Sequence, residues 1–306
     1  MRISGLQDGE GQIKASDLAR VLNALTELAE RSTRLLATGE SSGRGPKPKW
    51  LGVTADFTVT GLASGSTVLG IEAPCLGETA SEVFAQQEFW REQPDLDHTA
   101  LELTTLAIEE ARDVNSPGDR FDNAVLEAVL KFKTAIRLPG VCYELTPEDS
   151  AQGRFRLDEV LYEQVSERKA EIPASKAWVV SGKLDEIKHS AGRFQLVLDQ
   201  GSRLFGKLSS SELDAETLRS LWGRQATVEG MVHFKVNGQP RLIEARRMSE
   251  GAEGDKVFGK MPVADKGGTG KLLAIQGKPI RSTDLSKLKD AWPGDEPIED
   301  LLSKLD

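Results

Sequence analysis

The sequence predicts a multidomain α+β protein: an N-terminal α+β domain, a five-stranded β-barrel, a Gly-rich linker and an extended or helical C-terminal tail. Three observations predict it. Helical and alternating apolar periods are mixed within residues 1–150, and residues 176–248 read as three strands, a helix and two more strands. A glycine-rich, charged stretch at 249–271 then separates both from a short leucine-bearing terminus. The length of 306 residues suits about two domains with appended segments.

A short first strand is expected near residues 2–6. Leu18, Val21, Leu22, Leu25 and Leu28 recur at helical spacing and predict a helix over 17–37, capped by Ser16 and ended by Gly39. Residues 41–49 read as an exposed basic loop. Val53, Ala55, Phe57 and Val59 alternate with Thr54, Asp56, Thr58 and Thr60. That alternation predicts a half-buried strand, paired with 66–73 across a glycine turn. Helical patterns at 79–91, 98–113 and 121–136 complete the first domain. A connecting helix over 157–170 occupies the stretch 151–175.

The next part of the chain is the most regular. Strands are expected at 177–188, 193–199, 202–208, 225–236 and 241–248, with a helix at 214–222. Asn237-Gly238 is a strong hairpin signal between the last two strands. This element order resembles the oligonucleotide/oligosaccharide-binding (OB) fold, a small Greek-key barrel with its helix between strands three and four. Another compact barrel, such as an SH3-like one, shares the pattern. On the third strand Arg203, Phe205 and Lys207 share one face, and Leu204, Gly206 and Leu208 share the other. An aromatic between two cations suits base stacking and phosphate contact, and Lys183, His233, Lys235 and Arg241 would extend the patch. The competing account has an N-terminal helix covering Phe205 while the cations are merely solvated. Trp178, Phe194, Trp222 and Phe234 are expected in the core.

Charge and motifs narrow the function classes. The net charge is -9, yet residues 176–248 hold 12 Lys/Arg against 8 Asp/Glu, leaving 27 against 40 elsewhere. A mildly basic module inside an acidic chain is compatible with an anion-facing surface. No apolar run approaches the roughly 18 residues that span a bilayer, and the first residues lack a secretory apolar core, so no membrane partner and a cytoplasmic location are expected. Cys75 and Cys142 have no metal-like spacing and read as reduced thiols. His98, His189 and His233 lie far apart, so neither metal nor cofactor is expected. Gly268-Thr269-Gly270-Lys271 is not a phosphate loop: Asp265 stands where the first glycine belongs, and Leu272 where Ser or Thr belongs. With no nucleophile elbow either, a catalytic role is not expected.

The tail carries the sharpest functional signal. Gln276-Gly277-Lys278-Pro279-Ile280-Arg281 precedes a short helical pattern bearing Leu285 and Leu288. Trp292-Pro293-Gly294-Asp295-Glu296 follows, and then Ile298, Leu301, Leu302 and Leu305 lie on one helical stripe. Such a segment is too short to bury a core of its own, so it docks on its own domains or folds on a partner. These residues are similar to the C-terminal toxin-binding tail of VapB-like bacterial antitoxins. The resemblance covers residues 272–306 and implies a small PIN-type ribonuclease toxin as partner. It also implies Trp292, Ile298, Leu301 and Leu302 as anchors, with Arg281 or Lys278 as the base near the toxin's acidic site, and the anchor pattern of the segment adds Ile280, Leu285, Leu288, Pro293 and Leu305 as expected partner contacts. The family's usual small DNA-binding domain has no counterpart pattern in residues 1–271. The expected function is therefore toxin neutralisation. Single-stranded nucleic-acid binding through the barrel is the alternative, and self-association into a homo-oligomer remains open.

Overall fold

The computed structural model describes residues 1–6, 12–43, 45–63, 67–85, 94–147, 154–188, 192–209 and 215–264. The chain divides into two units, Met1–Lys266 and Gly267–Asp306, and the described residues all belong to the first. The predicted tail contacts from Ile280 to Leu305 lie outside the described residues.

The first half is a five-stranded sheet against helices. Its strands are β1 (Arg2–Ser4), β2 (Thr58–Ala63), β3 (Thr67–Glu72), β4 (Cys142–Leu145) and β5 (Phe155–Leu157), in the order β2-β3-β1-β4-β5, every pair antiparallel. The helices are α1 (Ala15–Thr38), α2 (Lys49–Thr54), α3 (Leu76–Thr79), α4 (Ser81–Ala85), α5 (Ala100–Arg112), α6 (Asn123–Ala135) and α7 (Glu159–Glu171). Val21, Leu25 and Leu28 of α1 are fully buried, as their spacing predicts, and share a core with Ile108, Val129, Phe132, Tyr143, Leu161 and Val165. The α7 helix, expected as a connector, thus packs into this core, and β5 extends the sheet.

Two local expectations are corrected. Ser16 does not cap α1; Lys14 stands at that position and makes no side-chain cap bond. Residues 53–57 are not strand. Pro48 precedes α2, Leu51 and Thr54 are buried one turn apart, and the Thr54 hydroxyl donates to the Trp50 carbonyl at 2.8 Å. Strand begins only at Thr58, where Val59 is 40% exposed rather than buried, and burial three residues apart draws the preceding stretch into a helical turn.

The second half is a closed barrel of β6 (Lys176–Lys188), β7 (Arg193–Val197), β8 (Arg203–Leu208), β9 (Gln225–Phe234) and β10 (Pro240–Glu250), with α8 (Ala215–Leu221) between β8 and β9. Its order is β10-β8-β7-β6-β9, and β8 with β10 is the parallel pair. Val180, Leu184, Phe194, Leu196, Leu204, Val228 and Ile243 fill it. Gly206 is required by close approach: a Cβ there would lie 2.1 Å from the Phe194 ring. The Asn237-Gly238 turn forms as predicted, with Gly238 at φ 81°.

Trp222 is another correction. It is 67% exposed, and its indole N–H donates to the Asp185 carbonyl at 3.1 Å. Leu218 and Leu221, one turn apart on α8, reach the barrel core, and Trp222 next to them stays outside. Residues 251–264, expected to open the linker, instead lie along the barrel. The Asp199 N–H donates to Gly259 at 3.0 Å and the Ala264 N–H to Gly238 at 2.9 Å, and Ala264 is 3% exposed. No helix among the described residues is long and apolar enough to cross a membrane.

Candidate functional site

The outward face of β7 and β8 is where the sequence places its polar patch. Strand pairing sets Arg193 opposite Lys207, Gln195 opposite Phe205 and Val197 opposite Arg203. Alternation does put Arg203, Phe205 and Lys207 on one face, with Leu204 and Gly206 buried behind them. That face is largely taken up by the protein's own N-terminal half. The Lys207 ammonium lies 2.7 Å from Glu40, just past the end of α1, and Arg193 donates to the Ala37 carbonyl at 3.3 Å. Gln195 is 1% exposed, and Phe205 is half-buried. Burial pushes the Arg193 guanidinium below its ordinary value, with Glu40 opposing the shift.

Two further predicted cations join the same seam. Lys235 pairs with Asp119 at 2.5 Å. Arg241 is buried and donates to the carbonyls of Asp119 at 2.9 Å, Phe121 at 2.6 Å and Gly118. Burial lowers its pKa, which Asp122, Asp119 and Glu110 counter. Lys183 and Arg203 differ from these. Both are exposed, and they lie in one register row across three strands, on either side of Val197. The row would separate their backbones by roughly 10 Å. The cations are therefore not uniformly solvated, as the competing account has it: Lys207, Lys235 and Arg241 bind the first domain.

A cleft of about 720 Å³ opens at the edge of this seam, between residues 113–120 and the β9–β10 hairpin. Leu36, Leu204, Phe205 and Met261 give it an apolar side, and Arg203 stands among its polar lining. The Glu110 carboxylate in it already accepts from Ser116 Oγ at 2.7 Å and from the N–H groups of Asp119 and Arg120 at 2.8 and 2.6 Å.

Sequence spacing missed one constellation. Glu40, His233 and Glu244 bring ligand atoms within 4.8 Å of one another. Glu40 follows α1, whereas His233 and Glu244 stand on neighbouring strands. The Ser175 hydroxyl lies 2.8 Å from His233 Nδ1, and Ser209 Oγ donates to Glu244 at 2.9 Å. Burial would raise the Glu244 pKa, but the Ser209 hydroxyl, Lys207 and His233 outweigh it and hold the carboxyl below its ordinary value. No spacing rule links three residues so distant in the chain; the convergence exists only once α1 packs on the barrel.

Neither protein-family models nor curated proteins nor solved structures give a match to this chain. What the protein does is therefore read from its own residues.

Proposed function

We propose that this is an antitoxin-like protein whose C-terminal segment, residues 272–306, binds and neutralises a small PIN-type ribonuclease. The observation that carries it is the anchor pattern of Trp292, Ile298, Leu301, Leu302 and Leu305 in a charged segment with no core of its own. The division of the chain after Lys266 is in keeping with a tail that serves a different purpose from the body. Commitment of Lys207, Lys235 and Arg241 to the first domain favours a scaffold role for the barrel over a phosphate-binding one.

The test is inhibition of a purified PIN-type ribonuclease encoded beside this chain's gene. Full-length protein is expected to block RNA cleavage, and a chain ending at Lys266 is expected not to. Trp292→Ala should weaken binding by about 2 kcal/mol, roughly 30-fold. Equal inhibition by the shortened chain would overturn the proposal.

A second reading is favoured by the exposed row of Lys183 and Arg203 beside Phe205. The barrel's strand order, with its parallel β8–β10 closure, is in keeping with an OB fold that contacts single-stranded nucleic acid at this edge. It predicts salt-sensitive oligonucleotide binding that weakens on Arg203→Ala.

A further inference from the structure

We propose that Glu40, His233 and Glu244 form a binding site for one divalent transition-metal ion of zinc's class, at the seam between the two halves of the body. Two carboxylates and an imidazole are the donor set such an ion takes, at about 2.0–2.2 Å from each ligand atom. Ligand atoms within 4.8 Å of one another need to close by only about 1–1.5 Å to share it. Side-chain rotation covers that, since all three residues are partly exposed.

The histidine is oriented for this role. Its Nδ1 is held by the Ser175 hydroxyl at 2.8 Å, which aims Nε2 at the carboxylates. Nε2 is shielded from solvent and has no hydrogen bond, and the nearest Glu244 oxygen is 3.5 Å away. A buried ring nitrogen without a partner costs stability unless something binds it. Glu244 is steadied in turn by Ser209, as a metal-bound carboxylate is by its neighbours.

Charge completes the argument. Glu40 and Glu244 share the Lys207 ammonium, at 2.7 and 3.7 Å, and the Arg193 guanidinium also acts on Glu40. Lys207 holds the cation's place in the metal-free protein. Its flexible stem is 28% exposed and free to swing away as the ion enters. Lysine and metal therefore compete for the same carboxylates. Because Glu40 belongs to the first half and the other two ligands to the barrel, a bound ion would tie the halves together.

The experiment titrates Zn²⁺ into full-length, chelator-treated protein, reading heat of binding and thermal midpoint. One equivalent should bind and raise the midpoint. His233→Ala and Glu244→Gln should each weaken this binding at least about tenfold, with far-UV circular dichroism confirming that both remain folded. Lys207→Met, which removes the competitor, should tighten it. A role for the cluster confined to holding the seam predicts the reverse, a less stable Lys207→Met protein with no gain in zinc affinity. Absence of one-equivalent binding, binding unchanged in His233→Ala, or no tightening in Lys207→Met would each overturn the proposal.

Discussion

Arg241 does more for cohesion than any exposed ion pair. From β10 it reaches the carbonyls of Gly118, Asp119 and Phe121, while Arg168 of α7 donates to the carbonyls of Asp113 and Ser116 in the same loop. The Arg168 guanidinium lies 5.6 Å from the Phe121 ring centroid and donates to the Asp113 carbonyl at 3.0 Å. Removing Arg241 leaves carbonyls in this loop without a donor, so Arg241→Ala should cost about 3 kcal/mol in urea unfolding. Arg241→Lys should rescue little, because a single ammonium does not span three acceptors. Asp255 gives a pH signature. The Thr227 hydroxyl at 2.6 Å and the Ala252 N–H at 2.9 Å hold its carboxyl below the ordinary value. A depressed carboxylate adds stability that is present above its unfolded pKa of about 3.9 and is lost as pH falls through the lower, folded value. Acid unfolding should therefore begin at higher pH in wild type than its pH-7 stability alone suggests, and Asp255→Asn should flatten that dependence.

Among the elements, β8 is tightly constrained, with Gly206 pressed on the Phe194 ring. Gly206→Ala should destabilise the barrel by about 1–3 kcal/mol through overpacking, measurable as a lower thermal midpoint. The barrel was largely legible in the sequence, since its strand-forming runs are bounded by turn residues and Asn237-Gly238 marks a turn that side chains specify locally. The α5 helix was legible from its helical pattern over 98–113, and the structure adds a reciprocal capping box of Thr99 and Glu102, with Thr99 N–H donating to Glu102 at 2.7 Å. Residues 53–57 were misread because alternation and a single helical turn predict overlapping burial over so few residues. Trp222 was misread because size suggests burial, whereas its place just after α8 decides exposure. The polar seam was invisible in sequence. Whether Lys207 meets water or Glu40 depends on where α1 docks, and no periodicity encodes that.

For the whole molecule, the body and the tail should separate cleanly. A chain ending at Lys266 is expected to keep the thermal midpoint of the full-length protein within about 2 °C while losing the proposed ribonuclease partner, because the core clusters of the described residues lie within residues 1–264. A midpoint falling well beyond that would show that the tail stabilises the body. The two halves of the body, by contrast, should not survive being cut apart. A fragment beginning at β6 would carry Arg241 into water without the loop whose carbonyls now accept from it. The barrel is thus a poor candidate for transplantation into an unrelated protein. Any lineage that inherited it would have had to keep its neighbour as well, and recombination breakpoints should be rare between α7 and β6.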